Sequence, residues 1–187
     1  MLAARSLFSL SVVALVVATS SIAYATVVVP LSLSDQVGRA DLVVRVRVGA
    51  AHSAYVADRG TILTWTELEV TDTLKGQAPS TLVLRQMGGT ADGQTMLVPG
   101  DAHLRTGDDV IMFLRSDPAG SEDVFLVALA QSAYFVNGQQ CSRDLSQLTF
   151  AVLGGPQGTQ LSDPGREASV RLDALMNEIR SLAAGAR

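Results

Sequence analysis

Between residues 44 and 48 the chain reads Val44-Arg45-Val46-Arg47-Val48, apolar and charged in strict turn. A repeat of two is the pattern of a strand with one buried face and one wet face. The alternation predicts a strand over 42–49, the first of a small β-barrel. Residues 61–74 predict a second, long strand, with Leu68 and Val70 facing in and Glu67 and Glu69 facing out. An antiparallel pairing in which residue numbers sum to 114 sets Arg47 opposite Glu67 and Arg45 opposite Glu69, with Val46 opposite Leu68 and Val44 opposite Val70. Each such charge pair or apolar pair is worth about 0.2–1 kcal/mol.

The other elements follow from the same reading. Leu33 and Val37, four apart behind Ser32 or Ser34, predict a short helix ending near Arg39. Residues 52–60 read as a loop or hairpin tip. Residues 81–87 predict a strand with Leu82 and Leu84 inward and Arg85 outward, and 94–98 a shorter one. Residues 110–114, Val-Ile-Met-Phe-Leu, are apolar on both faces, as a strand covered on both sides must be. The last strands are expected over 124–130 and 133–136, before the turn pair Asn137-Gly138. The Gly-rich stretch 139–162 reads as an irregular linker. Ala168, Leu172, Leu175, Met176, Ile179, Leu182 and Ala183 form an apolar stripe at helical spacing. That stripe predicts a helix over 163–187, with Asp163 as N-cap and Pro164 at its first position.

Composition changes the picture at the N-terminus. Arg5 precedes an apolar run over 7–17, and Ala23-Tyr24-Ala25 has the form of a cleavage site. The run is too short to span a bilayer. Residues 1–25 are therefore expected to be a signal peptide, and the protein to be exported, periplasmic or extracellular. The domain plan is the leader 1–25, a β-barrel domain 26–138, the linker 139–162 and the helix 163–187. The whole chain of 187 residues carries a net charge of −4, and the leader holds one base and no acid, so the exported chain stands at −5. An acidic chain lacks the electrostatic footprint of a nucleic-acid binder. With one cysteine, Cys141, no disulfide can form within the chain.

The order of motifs carries a resemblance. Ala40-Asp41-Leu42-Val43-Val44 follows the short helix, Leu74-Lys75-Gly76 ends the long strand, and Gly88-Gly89 comes next. Gly107-Asp108-Asp109 then leads into the apolar strand Val110-Ile111-Met112-Phe113-Leu114. This layout, over about residues 32–136, resembles the netrin-like OB-fold domains, including the tissue inhibitors of metalloproteinases. It is closer still to uncharacterised exported bacterial proteins of the same layout. The resemblance implies a five- to six-stranded OB-like barrel, mainly β, with a short N-terminal helix and a C-terminal amphipathic helix. It implies less about activity. Those inhibitors begin with a cysteine whose amine and carbonyl chelate the protease zinc, whereas this chain is expected to begin at Thr26. No functional residue of that family transfers by position.

Candidate chemistry is sparse. His52, His103 and Cys141 lack the spacing of metal ligands, so no metal site is expected. There is no nucleophile elbow and no phosphate loop, and no catalytic or cofactor-binding residue is assigned. Glu67 and Glu69 find a simpler role beside Arg45 and Arg47. Trp65 stands out as the one tryptophan. The expectation is a non-enzymatic module whose partner is another protein, a protease among the candidates. Its contact residues would be Thr26, Val27 and Val28 on the N-terminal arm, and Tyr55, Leu63 and Trp65 near the hairpin tip. For Trp65 itself the favoured expectation is packing beneath the arm or the C-terminal helix, with the partner contact as the alternative use of that ring. The rival functions are a secreted hydrolase built around His103 and nearby acids, or a structural component of the envelope.

Overall fold

The computed structural model describes residues 26–155, 158–165 and 167–185. The expected signal peptide lies outside the described residues. In chain order the elements are β1 (Thr26–Val28), α1 (Leu33–Arg39), β2 (Leu42–Val56), β3 (Thr61–Lys75), β4 (Thr81–Met87), β5 (Gly89–Ala91) and β6 (Gln94–Met96). Then come β7 (Asp109–Ser116), β8 (Asp123–Leu126), β9 (Ala133–Asn137), β10 (Gln140–Ser142), β11 (Leu148–Gly155), β12 (Gly158–Ser162), β13 (Val170–Arg171) and α2 (Leu172–Gly185). The fold is mainly β. Eight strands form one sheet in the order β13-β10-β9-β7-β2-β3-β4-β8, and β8 also pairs back onto β7. The pairings β7-β2-β3-β4-β8 thus return on themselves. A three-stranded sheet β1-β11-β12 and the hairpin β5-β6 complete the strands.

β7 explains how the sheet is covered. Val110, Met112 and Leu114 enter one core with Val44, Val46, Val48, Leu68, Leu82 and Leu84. Ile111 and Phe113 point the other way, into a second core with Val37, Val43, Leu74, Tyr134, Leu175 and Ile179. All five β7 residues from Val110 to Leu114 are fully buried. Each such side chain contributes about 1.5–3 kcal/mol on leaving water. One face of the sheet is the inside of the strand ring, and the other is roofed by α1 and α2. The doubly apolar run written in the sequence has this cause.

The motif residues at the strand ends have local reasons. Ser32 caps α1, its hydroxyl accepting from the Asp35 amide while Asp35 accepts from the Ser32 amide. Lys75 Nζ donates to the Val37 and Ala40 carbonyls, both at 2.6 Å, and so closes the other end of α1. Gly76 has φ +82°, and a Cβ there would meet the Asp41 carbonyl oxygen at 2.5 Å. Only glycine lets the chain turn so close to the start of β2. Asp41 in turn accepts from the Ser116 amide.

Several expectations are corrected. The β2–β3 register is two residues away from the expected one. Arg47 faces Glu69, Val46 faces Val70 and Val48 faces Leu68, with shifts between Val43 and Val44, between Arg45 and Val46, and between Val48 and Ala51. From Val46 to Val48 the faces are unchanged, because a slip of two preserves the pleat; past the bulge Arg45 faces Asp72 and Val44 faces Thr73, and Leu74 turns into the helix-side core. The counter-ion of Arg45 is Asp109 on β7, held by two bonds at 2.9 and 2.6 Å. Arg47 donates to the Gly107 carbonyl. Residues 52–56 are strand, not loop, and the tip is a 3-10 turn, Ala57–Arg59, closed by Gly60 at φ +60°. The stretch 139–162 holds β10, β11 and β12 where an irregular linker is expected. The last helix starts at Leu172, not near Pro164, and the Asp163 carboxylate accepts from the Gly165 amide without capping a helix. The main sheet has eight strands, five of which make the returning ring β7-β2-β3-β4-β8. Among the described residues no helix is long and apolar enough to cross a membrane.

Candidate functional site

The β2–β3 hairpin carries the most distinctive surface. His52 lies opposite Trp65 across the ladder, and their rings stack at 5.3 Å and 11°. The Trp65 indole N–H donates to Asp123 Oδ2 at 3.3 Å. Arg85 sits opposite Trp65 on β4 and reaches the same carboxylate oxygen at 2.8 Å and Asp117 Oδ2 at 3.1 Å. Its guanidinium lies 4.5 Å from the centre of the Phe125 ring, with Arg115 at 6.0 Å from the same ring. The Ser121 hydroxyl, the Ala119 amide and Arg85 hold the Asp117 carboxyl below the usual carboxylate range. The result is a half-exposed aromatic and cationic platform in which Arg85 is already paired with Asp117 and Asp123. It offers no free nucleophile, and offers flat rings and a fixed guanidinium to a partner's surface. Such residues are the ones enriched at protein interfaces.

The predicted contact residues divide. Trp65 lies on this platform, under neither the N-terminal arm nor the C-terminal helix. Tyr55 is 50% exposed near the tip. Leu63 is buried and presents nothing. Thr26, Val27 and Val28 belong to a different sheet, where β1 runs parallel to β11. Thr26 donates to the Pro99 carbonyl and Val28 packs beside Leu145 and Leu148, so these residues form a fastened strand. Val27 alone of the three is largely exposed. Sequence reasoning missed Arg85, Phe125 and Asp123. Their only signal was Arg85 at an outward strand position.

A second place is the cleft of about 440 Å³ between Asp101, His103, Arg105, Asp108 and Arg143. Burial pushes the Asp101 carboxyl up, against the lowering effect of bonds from the Ala102 amide and Gln86. His103 is exposed, and its Nε2 lies 3.4 Å from Gln147 Oε1. Among the described residues no hydroxyl or thiol is hydrogen-bonded to that imidazole. Cys141 is buried on the helix side of the sheet, where burial raises its thiol and its neighbour is the Val170 carbonyl at 3.5 Å. It does not meet His103. Among the described residues no group of three or more histidine, cysteine or acidic side chains could hold a metal ion.

Comparison with protein-family models and with curated proteins finds no match.

Proposed function

We propose that this chain is an exported, non-enzymatic binding module of the netrin-like OB kind. The strand ring β7-β2-β3-β4-β8, with its single parallel contact between β4 and β8, supports a small closed barrel of that kind. The leader pattern over residues 1–25 supports export. The partner is another protein, a protease among the candidates, and the contact surface is the platform around Trp65. The observation that carries this reading is the stacked His52–Trp65 pair beside the Arg85–Phe125 pair on an outward sheet face. The test is cross-linking of the exported protein in its own cells, followed by mass spectrometry of the attached chains. Trp65→Ala, which leaves both cores untouched, is expected to lose the partner that the parent chain captures. Equal capture by both chains would overturn the reading.

The cleft beside His103, with its raised Asp101 carboxyl, favours a second reading, a hydrolase. Under that reading His103→Ala would abolish hydrolysis while leaving the unfolding midpoint in place.

A further inference from the structure

β2 leaves its neighbour β7 halfway along its length. Their last bonds are Val48 N–H to the Asp108 carbonyl and Gly107 N–H to the Val48 carbonyl, with the Thr106 hydroxyl donating to the Gly49 carbonyl. From Ala51 to Val56 the strand pairs with β3 alone. Among the described residues no other backbone bond reaches this stretch.

The outward groups can be identified. The Ile62 carbonyl accepts from the Gly88 amide, so the backbone groups of Ile62 turn towards β4. Tyr55, its partner across the β2–β3 ladder, therefore occupies a site with no bonds to β3. Its N–H and C=O face away from β3, and by alternation so do those of Ser53 and Ala51, while β5 packs across the sheet face here without a backbone bond, Gly89 lying beside the Ser53 and Thr64 hydroxyls. Edges of this kind are usually guarded by lysine, proline or an inward charge. Between Val48 and Ala57 there is no charged residue and no proline.

We propose that this margin pairs with the same margin of a second copy of the chain, antiparallel, with Ser53 on the two-fold axis. The register is self-complementary. Ser53 meets Ser53, and Ala51 of each copy meets Tyr55 of the other, so all three outward residues fall at hydrogen-bonded positions. A slip of one residue opposes outward groups with inward ones. A centre at Ala51 runs into the Val48 and Gly49 groups already bonded to residues 106–108. A centre at Tyr55 runs into the tip turn. Ser53 is the centre that uses the whole margin. The exposed Tyr55 ring comes over a small Ala51, and no like charges oppose one another in the ladder. Asp58 and Arg59 at the tip approach the Arg47 end of the other copy from outside the ladder, with charges of both signs. The contact is small, so the dimer forms reversibly and only as concentration rises.

The test is sedimentation of the purified protein from micromolar to millimolar concentration, with amide hydrogen exchange followed at the two ends of that range. Mass is expected to rise from one chain to two. The Ala51, Ser53 and Tyr55 amides are expected to gain protection in step, while those of His52 and Ala54, bonded to β3, stay protected throughout. Tyr55→Lys, at an exposed position, is expected to weaken association about tenfold or more, roughly 1.4 kcal/mol or above. A single-chain mass at every concentration would overturn the proposal. So would a dimer in which those three amides exchange freely, or a Tyr55→Lys chain that associates like the parent.

Discussion

Two side chains show what burial does to individual groups here. Tyr134 is 6% exposed, lies 6.0 Å from the Phe113 ring, and has a phenol pushed up to about 12, chiefly by burial. The unfolded phenol ionises near pH 10. Between those values the folded state keeps a proton that the unfolded state releases, so stability falls as pH rises. The loss is expected to reach about 2–3 kcal/mol by pH 12, measured as the urea midpoint from pH 9 upward, and Tyr134→Phe is expected to remove that component. Arg143, 8% exposed, bonds both oxygens of Glu167 and the Gln131 carbonyl, and lies 4.7 Å from the Tyr134 ring centre. Arg143→Met is expected to cost roughly 2–3 kcal/mol, because the Gln131 carbonyl loses its donor and Glu167 its cation. Equilibrium denaturation of the two chains measures it.

Among the elements, β7 and α1 make the sharpest expectations. Phe113→Ala empties the helix-side core and Met112→Ala the ring-side core. Each is expected to cost about 2–5 kcal/mol, and the two costs to add only in part, since the residues are chain neighbours. Ser32→Ala removes the capping box of α1 and is expected to cost about 1 kcal/mol. Both elements were readable because their signals are local. A doubly apolar run and an apolar pair four apart behind a serine need no knowledge of the rest of the chain. The β2–β3 register was not readable, because the charge that settles Arg45 is Asp109, far along the sequence, and because β2 is bulged. β11 and β12 were missed for another reason. Val152, Leu153 and Leu161 are exposed, so their apolar positions trace no buried face. Trp65 stood out as the one tryptophan, but its partner Asp123, at the start of β8, lies 58 residues further on and nothing nearby announces it.

For the molecule as a whole, the two cores on opposite faces of one sheet are the main fact. Removing residues 172–187 strips Leu175 and Ile179 from Val43, Ile111 and Phe113. The shortened chain is expected to bind a hydrophobic dye and to unfold over a broader range of denaturant than the parent. A sharp, parent-like transition would show that α2 is dispensable. The stripe of α2 was legible as helix, and its use against the chain's own sheet is the ordinary fate of such a stripe.

The position of that roof has a consequence for how the molecule is made. A chain is synthesised from its N-terminus, and the α2 residues that shelter Ile111 and Phe113 emerge some sixty positions after them. Until they do, that side of the nascent sheet has only α1 to rest on. The growing polypeptide therefore completes this face last, and is kept from locking before its tail arrives.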